Sequence, residues 1–316
     1  MGGFVRTLTG DIDPSALGRT LIHEHLAVDW GEMLGRPKVL DWDRAAMADR
    51  MVAKMEALAA VGIGAMTECT PYGCGRYVDL FAEVARRSPV RIVGSTGFFH
   101  ESWCPIHPIA AALDIDALTD LFAREITEGM GGTLTRAGLI KVASGEGRIS
   151  ANEEKILRAA ARARRATGCP IITHLTDSMS QEQLDLFASE GVGPDEVIVS
   201  HVGFAPDALA EAEGLLRRGA NVSFDRIGYR VFHPDEHWLR LVSHAVAQGW
   251  GGQVMLSHDA AVFAHGLEIA SGEHAWDDFT YISRVFLPRL RAETAVTETE
   301  IERMLIDNPR RVLAFA

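Results

Sequence analysis

A chain of 316 residues with 47% hydrophobic and 23% charged side chains has the composition of an ordinary globular protein with a large core. Its net charge of −12 and pI near 5.5 argue against binding a phosphate backbone, which needs clustered Lys and Arg, and so exclude nucleic acid as a partner. No apolar run approaches the ~18 residues of a membrane span, and the opening Met-Gly-Gly-Phe-Val-Arg lacks the charged and apolar regions of a signal peptide, so a cytoplasmic location with no membrane partner is the expectation.

Residues 3–17 read as a small hairpin that closes one end of the fold. The apolar run Thr20-Leu-Ile-His-Glu-His25 is a strand ending in two histidines. A helix is predicted at 43–61, a strand at 65–70, a helix at 76–87, a strand at 91–97 and, beyond a long loop at 98–108, a helix at 114–128. Strands at 138–144, 170–175, 197–202 and 253–259 carry Lys141, His174, His201 and Asp259 at their ends, and a strand at 221–226 ends on Asp225-Arg226. Helices at 152–167, 180–190, 206–218, 235–248 and 277–291 intervene, and a last one lies near 298–306. Ser150 or Asn152, Ser180 with Glu182, and Pro206-Asp207 are read as helix starts, and Gly168, Gly191, Gly219 and Gly249 as helix ends. A second long loop is expected at 258–277.

Eight alternations of strand and helix predict parallel strands joined by crossover helices, hence an α/β fold: a (β/α)8 TIM barrel forming one domain over residues 1–316. An open doubly wound sheet is the alternative. The lack of a Gly-x-Gly-x-x-Gly after the first strand counts against it.

In such a barrel the C-terminal strand ends converge on one face. His23 and His25, two residues apart on a strand, point to the same side, and the fold brings them to Lys141, His174, His201 and Asp259. Four imidazoles and a carboxylate suit Zn²⁺, Mn²⁺, Co²⁺ or Fe²⁺ better than Mg²⁺ or Ca²⁺, and they are too many for one open catalytic ion. Lys141 is the odd member. At a buried strand end beside cations its pKa falls, leaving a nucleophilic amine that can take up CO₂. The resulting carbamate offers two oxygens to bridge two ions, so two divalent metals, with zinc the first choice, are expected at the C-terminal ends of the strands.

The motifs Thr20-Leu-Ile-His-Glu-His, Arg136-Ala-Gly-Leu-Ile-Lys-Val-Ala, Ala166-Thr-Gly-Cys-Pro-Ile-Ile-Thr-His, Ser200-His-Val-Gly and Leu256-Ser-His-Asp resemble, in this order, the phosphotriesterase family of the amidohydrolase superfamily, including its phosphotriesterase-like lactonases. The resemblance runs from near Gly10 to Asn308-Pro309. It implies that His23, His25 and Asp259 bind the more buried metal, that His174 and His201 bind the more exposed one, and that carboxylated Lys141 bridges them. It further implies a metal-bridging hydroxide as nucleophile, with Asp259 taking the proton and no covalent intermediate. Phe224-Asp225-Arg226 and Ser257-His258-Asp259 look lactonase-like, making Arg226 the second candidate catalytic residue, whereas Phe99 stands where lactonase members carry a tyrosine and cannot donate a hydrogen bond. The resulting expectation is a lactonase or carboxylic esterase. Phosphotriester or other phosphoester hydrolysis is the alternative, followed by amide hydrolysis, with a non-enzymatic metal-binding protein as the reading from a different class. The family default is a homodimer acting on a small lactone, ester or phosphoester.

Neighbouring residues receive plainer readings. Glu24, between the two histidines, faces away and pairs with a barrel neighbour; Glu68 is structural; His258 points away from Asp259. Arg226 either orients substrate or pairs with Asp225. Trp103, Phe98, Phe99, Tyr229 and Phe263 are candidates for an apolar pocket wall. The four cysteines lack a Cys-x-x-Cys spacing: Cys69 and Cys169 are read as buried thiols, and Cys74 and Cys104 as loop residues that either pack or line the pocket. Arg158, Arg162, Arg164 and Arg165 form a solvated helix face.

Overall fold

The computed structural model describes residues 3–31, 43–175, 179–230, 232–265 and 278–316. An antiparallel hairpin, β1 (Val5–Thr7) and β2 (Gly10–Ile12), comes first. The remaining strands are β3 (Thr20–Asp29), β4 (Ala65–Glu68), β5 (Arg91–Gly97), β6 (Leu139–Ser144), β7 (Ile171–Leu175), β8 (Val197–Ser200), β9 (Asn221–Phe224), β10 (Val254–Leu256) and β11 (Ala261–His265). They form one sheet in the order β10-β9-β8-β7-β6-β5-β4-β3-β11, with every neighbouring pair parallel.

β10 and β11 sit at opposite ends of that order yet adjoin in sequence, so residues 257–260 close the sheet into a barrel. Asp259 N–H donates to the His23 carbonyl at 3.0 Å, and His25 N–H donates to the Ala260 carbonyl at 2.8 Å. The predicted eighth strand at 253–259 is thus corrected to two short strands flanking a bend. The physical reason is Asp259, whose φ of +59° cannot belong to a regular strand. Of the predicted loop at 258–277, residues 261–265 are β11, and residues 266–277, with the predicted start of the next helix, lie outside the described residues.

The crossover helices are α1 (Arg44–Ala60), α2 (Val78–Arg87), α3 (Pro108–Ala112), α4 (Ile115–Thr127), α5 (Ala151–Thr167), α6 (Ser180–Ser189), α7 (Ala208–Arg217) and α8 (Asp235–Ala247). A π-helical turn (Ile282–Phe286) and α9 (Leu287–Glu293) come next, and the predicted last helix is extended by a second π turn to Val312. Local chemistry sets the ends. Ser150 and Glu153 form a capping box at the start of α5, and Gly168 ends it with φ +75°. Ser180, read as a cap, instead lies inside α6, whose start at Met179 has no side-chain cap. No described helix is long and apolar enough to cross a membrane.

Two apolar layers arise from strand alternation. One fills the barrel: Ile22, Ala65, Val93, Leu139, Ile172, Ile198 and Met255 meet in the lumen and are closed from below by Val5 of the hairpin, Leu17 and Leu313. The other lies outside, where strand residues such as Met66, Ile140 and Val199 pack on Met51, Phe81, Phe122, Leu157 and Trp238 of the helices. Complete burial of each such side chain stabilises by roughly 1.5–3 kcal/mol. In β6 and β7 the site residues Lys141 and His174 lie two positions beyond the lumen residues Leu139 and Ile172, one pleat higher on the same face. In β3 the register shifts between Leu21 and Glu24, which resets the alternation so that His23 and His25 follow Ile22 into the interior.

A buried ion pair fixes the wall next to this interior. Arg76 donates to both oxygens of Glu125, at 2.6 and 2.9 Å, and Tyr72 and Thr96 hydroxyls donate to the same carboxylate. Burial raises the Glu125 carboxyl pKa, but the Arg76 guanidinium outweighs it and holds the group below its ordinary value. Its stabilisation is therefore complete above the unfolded pKa of about 4.3 and is lost as pH falls through the lower folded value. Glu125→Gln leaves Arg76 without its anion. It is expected to cost ~3 kcal/mol at neutral pH in urea unfolding, with the difference from wild type shrinking below about pH 4.

Candidate metal centre

A cavity of about 470 Å³ opens at the C-terminal ends of the strands and is lined by all seven residues singled out from sequence: His23, His25, Lys141, His174, His201, Arg226 and Asp259. All but Arg226 are at least nine-tenths buried. Asp259 Oδ1 lies 3.2 Å from His25 Nε2 and 3.6 Å from His23 Nε2, and Asp259 Oδ2 lies 4.0 Å from His201 Nε2. Donor atoms of His23, His201 and Asp259 fall within 4.8 Å of one another. The His174 ring stands 4.2 Å from that of His201, nearly perpendicular to it.

The outer hydrogen bonds decide which nitrogen each imidazole presents. His23 Nδ1 and His201 Nδ1 lie 3.0 and 2.6 Å from Asp225, a carboxylate that can only accept, so both carry their proton on Nδ1. Asp225 also accepts from the His201 backbone N–H. Burial raises the Asp225 pKa, but His201 and His23 outweigh it and hold the group far below the carboxylate range. His25 Nδ1 lies 2.7 Å from the Thr70 hydroxyl, which donates onward to the Ala27 carbonyl and so accepts from the ring. Three Nε2 atoms consequently face the cavity. His174 Nε2 is buried with no hydrogen-bond partner, an arrangement that costs about 1–3 kcal/mol unless something accepts its lone pair or proton. Tautomers fixed from behind are what a metal site requires, and with the clustered donors of His23, His201 and Asp259 the residues fit divalent ions.

Lys141 Nζ sits 2.7 Å from His23 Nε2. Burial lowers its pKa, and the neighbouring carboxylates only partly offset that. Gly97 makes the close approach to this residue possible: a Cβ there would stand 1.7 Å from the Lys141 carbonyl oxygen. Burial also keeps His174 and His201 neutral, His201 at about 3. Burial lowers His25 as well, but the Asp259 and Glu68 carboxylates outweigh it and raise the ring to about 9.

Among the described residues, the non-glycine positions with positive φ are His201 (+62°), Arg226 (+64°) and Asp259 (+59°), all at this site. Each such position costs of order 1 kcal/mol and persists only where surroundings enforce it. At Arg226 the turn rules out one of its two expected roles, pairing with Asp225. Its guanidinium donates to Asp259 Oδ2 at 3.0 Å and lies over the Phe204 and Phe232 rings, while Asp225 serves the histidines. Asp225 was not anticipated, although a carboxylate ending a strand beside a candidate residue was a usable signal.

The opposite wall is apolar. Phe99 and Trp103 line it as expected, joined by Val28, Trp30 and Cys74. Phe98 instead stacks on Tyr72 away from the cavity, Phe263 packs on the outer core, and Tyr229 donates to the Asp259 carbonyl at 3.1 Å. Cys104 is buried behind Cys74, and the Cys69 thiol, which borders the cavity, is pushed up to about 12 by burial. Trp30 was missed because β3 runs four residues past His25. Removing the acceptor behind two rings gives a direct test: Asp225→Ala is expected to lower metal affinity or kcat by roughly 10–100-fold, read by metal analysis and initial rates.

Residues 3–313 match the phosphotriesterase family. The phosphotriesterase homology protein of Mycobacterium tuberculosis is 30% identical, the match covering 98% of this chain and 97% of that protein. The phospho-furanose lactonase of Mycoplasmopsis agalactiae is 29% identical, over 99% of this chain and 92% of its own. Among solved structures, the organophosphorus hydrolase from Deinococcus radiodurans superposes with a TM-score of 0.90 at 32% identity, covering 99% of this chain and 98% of that one. A family match along almost the whole length, on a barrel that gathers a buried donor cluster, means that the chain belongs to the phosphotriesterase family and is a metal-dependent hydrolase.

Proposed function

We propose that the protein hydrolyses lactones or related carboxylic esters bearing an uncharged, apolar substituent. The observation that carries this reading is the make-up of the cavity. One wall is Val28, Trp30, Phe99 and Trp103, and among the described residues its Lys and Arg side chains are Lys141, bonded to His23, and Arg226, bonded to Asp259. Neither is left to neutralise a phosphate dianion, which favours a neutral substrate over a phosphorylated sugar. The similarity to proteins named as lactonases supports the same reaction class.

In this reading His23, His25 and Asp259 would hold one divalent ion, His174 and His201 would hold a second, and carboxylated Lys141 would serve as a ligand to both. The neutral Lys141 amine adds to CO₂ through Nζ and releases a proton, leaving an N-carboxylate with two ligand oxygens. Bound ions supply Lewis acidity toward the substrate carbonyl and an activated water. Asp259 accepts the proton from the attacking water and passes it to the leaving alkoxide, while Arg226, held over Phe204 and Phe232, fixes the Asp259 carboxylate through Oδ2. The aromatic wall excludes water from the acyl side. Zinc is the first choice of metal, and the family default of a homodimer belongs to the same reading.

Phosphotriester hydrolysis is the second reading, favoured by the likeness to the organophosphorus hydrolase and by Phe99, which adds apolar surface where a hydroxyl would otherwise stand. Initial rates of the Zn²⁺- or Mn²⁺-loaded protein on acyl and aliphatic lactones, sugar lactones, aryl esters and a phosphotriester separate the two. The expected order puts an apolar lactone first; phosphotriester turnover equal to or above it overturns the proposal. Lys141→Ala is expected to lose metal and turnover, with partial rescue by short carboxylic acids, and an unaffected variant rules out the bridge.

A further inference from the structure

Glu24 lies between two histidines that line the cavity, yet its own side chain points the other way and is fully buried. Its carboxylate accepts four hydrogen bonds, all from the bend that closes the barrel. Oε1 receives the Ser257 hydroxyl at 2.9 Å, His258 N–H at 2.9 Å and His258 Nδ1 at 2.8 Å, and Oε2 receives Ala260 N–H at 2.8 Å. His258 Nε2 accepts from Ile282 N–H at 2.9 Å, so the His258 proton resides on Nδ1 and is donated to Glu24. Residues 257, 258 and 260 are thus all clamped to one carboxylate, and the residue they flank is Asp259, in its left-handed conformation.

Ordinary pairing does not explain this clamp. A continuous strand over 254–265 would satisfy the same N–H groups through the ladder, without a buried acid, and would turn the 259 side chain according to simple alternation. The break instead leaves the flanking N–H groups of residues 258 and 260 in need of an acceptor, and Glu24 is that acceptor. Ser257 Oγ, which donates to Glu24, also accepts from His23 N–H at 2.8 Å, tying the bend to the histidine strand. From the other side, Tyr229 donates its hydroxyl to the Asp259 carbonyl.

We infer that Glu24 is a positioning residue for catalysis: by clamping the 257–260 bend it holds Asp259 in the left-handed conformation that directs its carboxylate between His23, His25, His201 and Arg226. The inference rests on Asp259 being the proton acceptor and metal ligand of the proposed reaction, but not on which substrate is hydrolysed. Gln at position 24 keeps the shape and opposes an N–H₂ to one of the donors it must accept.

The test uses the full-length metal-loaded protein and whichever substrate it turns over fastest. Glu24→Gln is expected to lower kcat by about 10–100-fold with KM within about twofold of wild type, and to speed metal loss to a chelator. A crystal structure of the variant is expected to show Asp259 withdrawn from Arg226 or out of the left-handed region. Unchanged kcat, or wild-type Asp259 geometry, overturns the inference, as does a loss of activity that merely follows the fraction of folded protein. Ser257→Ala removes one of the four hydrogen bonds that Glu24 accepts and serves if Glu24→Gln does not fold. Its kcat is expected to drop several-fold at constant KM, and an unchanged kcat overturns the inference. The crystallographic readout is independent of substrate, so failure of the lactone proposal and failure of this one are told apart.

Discussion

Burying four imidazoles, an amine and a carboxylate at the mouth of an apolar barrel is possible only if every polar atom turned away from the cavity has a partner. Unpaired, each would cost a few kcal/mol, and together they would exceed the margin by which domains of this kind are stable. Asp225 meets this demand for His23 and His201, Thr70 for His25, and Glu24 for the bend that carries Asp259. With Nδ1 committed in this way, His23, His25 and His201 present Nε2 to the cavity. Low dielectric makes the device effective, since a carboxylate held far from water strongly prefers one imidazole tautomer over the other.

The barrel supplies the geometry by repetition. In β6 and β7 a hydrophobic residue fills the lumen and the next residue on the same face reaches the cavity, as Leu139 leads to Lys141 and Ile172 to His174. Where that simple count would misdirect a side chain, the backbone departs from the regular strand. β3 shifts register before its histidines, and His201, Arg226 and Asp259 adopt positive φ just beyond β8, β9 and β10. The irregularities fall at the cavity, where side chains take directions that alternation does not supply.

This division also explains what could be read from sequence. The strands at Lys141, His174 and His201 announced themselves because an apolar run ended on a polar residue, which is local information. Their convergence came from the fold class. Asp225 and Glu24 were harder: their partners lie up to 236 positions away in sequence, and the strand-end position of Asp225 marks it without naming those partners. Arg226 beside Asp225 invited a neighbour pairing that backbone direction forbids. The split of the last strand was hidden for the same reason, since an apolar run does not reveal that one residue within it will turn left-handed. Trp30 lay beyond a strand end set too early, at His25.

The seam at residues 257–260 has a consequence for how the protein is made. β3 carries two of the six donors and waits, during synthesis from the N-terminus, for a partner more than 230 residues downstream. Until residue 260 has paired with residue 25, the nascent chain has an open sheet edge on β3 and no cavity of native shape. Contacts of such long sequence separation form slowly, so metal loading belongs to the end of folding and the unpaired β3 edge is the surface a chaperone would have to cover in the interval.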